Sequence, residues 1–206
     1  MMRPDPDSDL EPLLDRARAG EAGALGMVLE RYRPYLTLLA RLEVGRRLQG
    51  KADEADLVQD AFLEAARQFD RFRGRGEPEL TAWLRRILAG CLATLARRYY
   101  GTQARDVRLE RALADDLDRS SKALDGGLIA PGSSPSQGAS RREQAVLLAD
   151  ALQRLPADYR EVIVLRSLEG LTFPEVAARM GRTPVSVERL WSRALPRLKQ
   201  ALEAAV

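Results

Sequence analysis

An all-α fold, divided into two small helical domains by a flexible linker, is what this 206-residue sequence predicts. Three observations carry that expectation. Leu, Ala and Arg dominate and aromatics make up only 5%, so good helix formers fill the periodic stretches while Val, Ile and Thr runs suited to a sheet are almost absent. Apolar residues recur every three or four positions through most of the chain. The stretch GGLIAPGSSPSQGAS from Gly126 to Ser140 has no periodic face and the composition of a tether. The boundaries are a first domain over 1–100, a linker over 101–140 and a second domain over 141–206.

Ser8-Asp9-Leu10-Glu11 reads as a capping box, followed by Leu10, Leu13, Leu14 and Ala17 at helical spacing and a stop at Gly20. A second helix spans about Ala22 to Arg47 on Leu25, Val28, Leu29, Tyr32, Leu36 and Leu39, with Pro34 placed to bend or divide it. A third runs from near Asp56 to about Phe72 with Val58, Phe62, Ala65 and Phe69 inward. The basic loop RFRGRGEP follows it, and then a fourth helix from Leu80 to Tyr100, apolar at Trp83, Leu84, Ile87, Leu88, Cys91, Leu92 and Leu95. Within the linker, Leu109, Leu113 and Leu117 recur every four residues and mark a stretch of 106–125 with helical character.

Composition narrows function. The chain has no histidine, which excludes a His-dependent triad, a His general base and His-bearing zinc sites. Its one cysteine, Cys91, allows no internal disulfide and fits a reduced cytoplasmic setting. A net charge of +3, with 31% charged residues, describes a soluble surface. The start is acidic and Pro-rich, and no apolar run approaches the roughly 20 residues of a membrane span, so neither a signal peptide nor membrane insertion is expected. No metal cluster or phosphate-binding glycine loop is present, and no cofactor is expected.

Chemistry concentrates near the end, in LTFPEVAARMGRTPVSVERLWSRA. Thr172-Phe173-Pro174-Glu175 is a capping box with proline in the first turn, Gly181 suits a left-handed helix end, and Thr183-Pro184 starts a second helix at once. Val176, Ala177 and Met180 with Val187, Leu190, Trp191 and Ala194 supply a small shared core, and Ala177 lets the helices approach. That spacing is the one of a DNA-binding helix-turn-helix, against an ordinary αα-hairpin whose arginines are a solvated face. The opposite face offers Ser186, Glu188, Arg189, Ser192 and Arg193, joined at the helix start by Arg182 and Thr183, as candidate DNA contacts.

With the helical segments before it, LPADYREVIVLRSLEGLTFPEVAARMGRTPVSVERLWSRALPRL resembles region 4 of the sigma-70 family, which reads the minus-35 promoter element. Upstream, DEADLVQDAFLEA followed by FDRF resembles region 2, whose helix docks on the clamp of the largest subunit of core RNA polymerase. Here Asp56, Gln59, Asp60 and Leu63 form an exposed acidic face with one apolar member, suited to a basic helical partner. FRGRGEPELTAWLRRILAGCLATLARRYYG resembles the part of region 2 that melts and reads the minus-10 element. Arg71, Arg73, Arg75, Arg85, Arg86, Arg97 and Arg98 are the candidate cations along that strand, whereas Trp83 and Cys91 read as core.

The two-domain economy is similar to the extracytoplasmic-function (ECF) group. The resemblance implies a non-enzymatic initiation subunit in the cytoplasm, whose partners are core RNA polymerase and promoter DNA, and it admits an anti-sigma factor as a third. It also implies a linker path toward the polymerase active-site channel; Asp115, Asp116 and Asp118 there are candidates to mimic nucleic-acid charge, against the favoured reading of a solvated tether. The chain departs from many relatives at Gly90, Cys91 and Thr94, and Pro196 is placed to kink or end the recognition helix. The rival reading is a helix-turn-helix regulator whose residues 1–100 sense or dimerise.

Overall fold

The computed structural model describes residues 10–21, 23–47, 53–100, 107–127 and 138–204. All the regular structure among them is helical. The chain divides into two compact units, Met1–Ser121 and Lys122–Val206.

In the first unit α1 (Leu10–Arg18) buries Leu10 and Leu14 and ends before Gly20; the capping box expected at Ser8 lies outside the described residues. α2 (Ala24–Arg47) runs unbroken through Pro34. A proline inside a helix costs about 3 kcal/mol. Val28, Tyr32, Tyr35, Leu36 and Leu39 are all buried around it, at about 1.5–3 kcal/mol for each fully buried Leu or Val, and that burial holds the helix together.

α3 (Glu54–Gln68) starts before Asp56 because the Asp53 carboxylate accepts from the Ala55 N–H at 2.7 Å, and a single 3-10 turn, Phe69–Arg71, closes it. α4 (Glu77–Tyr100) begins three residues earlier than the periodicity predicts. The Gly76 N–H donates to the Glu79 carboxylate at 3.0 Å and Pro78 occupies the second helical position, so the start is set by capping. Buried Tyr32 donates to Glu77 at 3.1 Å and ties that start to α2.

The expected linker over 101–140 is corrected over much of its length. Residues Val107–Gly127 form α5, and Leu113 and Leu117 are buried in the first unit, as their four-residue spacing allows. The Gly/Pro/Ser stretch over 128–137 lies outside the described residues.

The second unit comprises α6 (Gly138–Arg154), α7 (Ala157–Ile163), α8 (Phe173–Met180) and α9 (Pro184–Glu203), and α6, α7 and α8 all pack on α9. A π-helical turn, Val164–Leu168, leads out of α7, with Glu169 N–H bonded to the Val164 carbonyl at 2.9 Å. α9 passes through Pro196 to Glu203, so the proline does not end it. Leu198, beyond the proline, is buried and extends the Val187–Ala194 stripe by one turn.

Candidate nucleic-acid interface

In the second unit the sequence signals resolve into a helix-turn-helix. Glu175 accepts from both the Thr172 N–H and the Thr172 hydroxyl at 2.7 Å, which starts α8 and holds the Glu175 carboxyl below its usual range. Gly181 closes α8 at φ 62, a left-handed conformation that favours glycine. Val176 and Ala177 of α8 are buried with Val187 and Ala194 of α9, and Met180, Leu190 and Trp191 are half-buried at the margin. Phe173 meets Trp191 edge to face at 5.9 Å, and the Arg166 guanidinium lies 4.9 Å from the Phe173 ring, so the π-helical turn, α8 and α9 share one aromatic clamp.

The opposite face of α9 stays in solvent. Thr183 accepts from the Ser186 N–H at 3.3 Å, Pro184 has no N–H, and the Val185 N–H is left in the first turn for an acceptor from outside. Glu188, Arg189, Ser192 and Arg193 are exposed, and Ser192 donates back to the Glu188 carbonyl at 2.8 Å. Arg182 differs from its neighbours. Its guanidinium pairs with Asp158 of α7 at 2.5 Å, so much of its charge is committed within the unit.

In the first unit, Asp56, Gln59, Asp60 and Leu63 are exposed along one side of α3, Leu63 at 48%. Arg33 of α2 borders this face, stacking over the Phe62 ring at 4.6 Å and reaching Gln59 at 3.5 Å. Between α3 and α4 lies a cleft of about 710 Å³ in which Asp60, Leu63 and Glu64 face Arg86, Arg97 and Arg98. The fold thus brings together two groups that the sequence reading kept apart. Cys91 lines the same cleft, and burial, reinforced by the Asp60 and Glu64 charges, pushes its thiol up to about 11.

The loop after α3 carries Arg71, Arg73 and Arg75, all exposed. Beneath it Phe72 stacks on Trp83 at 4.8 Å and Phe69 meets Trp83 edge-on at 6.3 Å, so the half-buried indole belongs to the aromatic cluster that supports the loop. Arg18 of α1, which sequence reasoning missed, pins the loop by donating to the Gly74 carbonyl and lying 6.0 Å from the Phe72 ring. No local sequence signal marks that contact, because it joins residues 56 positions apart.

Residues 29–102 match the family description "Sigma-70 region 2" and residues 145–198 match "Sigma-70, region 4". The ECF RNA polymerase sigma factor SigD of Mycobacterium tuberculosis is 32% identical over 196 residues, covering 95% of this chain and 85% of its own. The chain belongs to the sigma-70 family. BldN of Streptomyces coelicolor, also an ECF RNA polymerase sigma factor, is 30% identical over 97% of this chain and 69% of its own length. The ECF sigma-E factor of Escherichia coli is 29% identical over 82% of this chain and 81% of its own. A chain in the solved RsbN–BldN complex aligns with 91% of this chain and 97% of itself at 27% identity and a TM-score of 0.30. By the two family matches and the curated relatives, this sigma factor sits in the ECF group, and its role is in transcription initiation.

One assignment within its region 2 needs correction. Arg85, read as a cation for the minus-10 strand, is buried: its side chain is 8% exposed. It donates to Asp118 of α5 at 2.6 Å and to the Tyr35 hydroxyl at 2.9 Å. Burial opposes its charge, but these two partners outweigh burial and raise its pKa. Ser121 shares a hydrogen bond with Tyr35 at 3.0 Å, and Ser120 donates to buried Glu43 at 3.1 Å. Asp118 is therefore tied into the sigma factor through Arg85 while half of its side chain stays in solvent, and Asp116 pairs with Arg119. Arg97 is half committed as well, to Glu110 at 3.3 Å and Thr94 at 2.8 Å. Arg86 and Arg98 remain exposed. No helix is long and apolar enough to cross a membrane among the described residues.

Proposed function

We propose that this sigma factor docks on the clamp of core RNA polymerase through the α3 face of Asp56, Gln59, Asp60 and Leu63, and reads its promoter with both units. The exposed arginines of the first unit, Arg71, Arg73, Arg75, Arg86 and Arg98, follow the minus-10 strand as it opens. Arg189 and Arg193 of α9, with Thr183, Ser186, Glu188 and Ser192, read the minus-35 element, and Arg182 orients the reader through Asp158. The chain supplies recognition and strand capture in the cytoplasm, and bond formation belongs to the core enzyme.

The observation that carries this reading is the division of α9 into two faces, with Val187, Ala194 and Leu198 buried and Arg189, Ser192 and Arg193 in solvent. Opening a duplex also needs cations along a surface that prefers unpaired strand, and the arginines on the loop and on α4 meet that need.

The test is promoter-specific transcription by the full chain with bacterial core RNA polymerase, with start sites first mapped in cells overexpressing it. A shared pair of elements upstream of the mapped starts, and initiation from them that depends on this chain, is the expected result. An operator bound tightly by the chain alone, with no initiation in the presence of core enzyme, would overturn the reading.

A further inference from the structure

Three large hydrophobic side chains stand exposed among the described residues: Met27, Leu63 and Val185. Leu63 belongs to the acidic face of α3 with Asp56, Gln59 and Asp60. Val185 does not fall within any packing role, and it is 56% exposed at the second position of α9. Its place on the helix is informative. Val185, Arg189 and Ser192 are spaced i, i+4 and i+7, so they form one ridge, and this ridge points away from the buried stripe of Val187, Ala194 and Leu198. A β-branched residue gives the helix no propensity advantage there, and the first turn of α9 contains no acidic residue to complement the helix dipole. The side chain thus contributes neither to the core nor to the helix end.

We propose that Val185 reads the C5-methyl group of a thymine in the minus-35 element. The proposal rests on the assignment of α9 as the promoter reader. In the major groove a thymine differs from every other base by that methyl group, and a recognition helix meets base edges with its N-terminal residues. Val185 has the required chemistry at that end: two methyl groups held in water, on the same ridge as a guanidinium and a hydroxyl. The neighbouring polar contacts fix hydrogen-bonding bases, and Val185 adds discrimination at an A·T pair that the arginines do not supply.

The test uses the full chain reconstituted with core RNA polymerase on its mapped promoter, with each minus-35 thymine replaced in turn by deoxyuridine, which lacks only the methyl group. The wild-type holoenzyme is expected to lose about fourfold in promoter affinity at one such position, the equivalent of one CH2 no longer buried. Val185→Ala should be weaker on the thymine template and show no further loss with deoxyuridine at that position. Arg189→Ala, a reference for general weakening, should keep the deoxyuridine response. Wild-type indifference to deoxyuridine at every position overturns the assignment, as does an equal deoxyuridine loss in Val185→Ala. A Val185→Ala defect in core-enzyme binding with template affinity unchanged overturns it too, since the apolar contact is then with protein. Absence of initiation on the thymine template by the wild-type chain overturns the promoter-reader assignment itself, and this one with it.

Discussion

Arg85 and Asp118 are 33 residues apart in sequence and joined at 2.6 Å in the fold. This pair, with Tyr35 and Ser121, fastens α5 at Asp118 and Ser121 to α2 and α4. Asp118 is 51% exposed while the Arg85 side chain is 8% exposed, so the two ends of the bond are not equivalent. Asp118→Ala leaves a buried guanidinium with Tyr35 alone and is expected to destabilise the first unit by about 1–2 kcal/mol, read as a lower urea midpoint. Arg85→Gln should also lower the midpoint, yet leave the salt dependence of promoter binding unchanged. Exposed Arg86→Gln should do the reverse, keeping the midpoint and reducing the salt slope by about one. A reduced slope in Arg85→Gln would return Arg85 to the DNA surface.

On α9 the expected effects divide by how committed each arginine is. Arg189→Ala and Arg193→Ala should each cost about 1–3 kcal/mol in minus-35-dependent promoter binding. Arg182→Ala should cost less at the promoter and show as lost stability, because its partner is Asp158. Promoter titrations and thermal melts on the same three variants make the comparison.

Two glycines of the first unit should respond in opposite directions to alanine. At Gly74 a Cβ would fall 2.5 Å from both the Glu79 Cβ and the Phe72 ring, so Gly74→Ala must displace the loop carrying Arg71, Arg73 and Arg75. A loss of about 1–3 kcal/mol is expected, together with weaker minus-10 binding. At Gly90, inside α4, nothing lies within 4 Å of the added Cβ, so Gly90→Ala should gain up to about 1 kcal/mol of helix stability. Denaturant midpoints decide both.

Cys91 should behave as a protected thiol. With its pKa pushed up to about 11 from 9.0, the thiolate population at neutral pH falls about a hundredfold, and iodoacetamide should label it correspondingly slowly in the native chain. The unfolded thiol ionises first as pH rises, so this group withdraws stability above pH 9.0 and contributes no pH dependence below it. Burial is the main cause and the carboxylates the lesser one, so a modest increase in labelling is expected in Asp60→Asn or Glu64→Gln. Mass spectrometry after timed quenching reads it; labelling as fast as that of a free thiol contradicts it.

The sequence by itself determined the helical class, most of the helix limits, the region 2 and region 4 resemblance and the helix-turn-helix with its polar face. These are legible because caps, left-handed glycines and 3.6-residue periodicity act within a few residues of each other. The effect of a proline is set at longer range. Pro34 and Pro196 carry a local cost, and only the burial of Tyr35, Leu36 and Leu198 around or beyond them kept α2 and α9 whole. Arg85 illustrates the same limit at the candidate site: beside Arg86 in sequence it looks like another surface cation, and its role depends on Tyr35 and Asp118, 50 positions before and 33 after it. Likewise the loop of Arg71 to Arg75 is set by Arg18 and Phe72, and the α3–α4 cleft by two helices packing together. Periodicity marks which side of a helix turns inward; which partner it meets there, and whether a charge on it is left for DNA, is decided by contacts between segments distant in the chain.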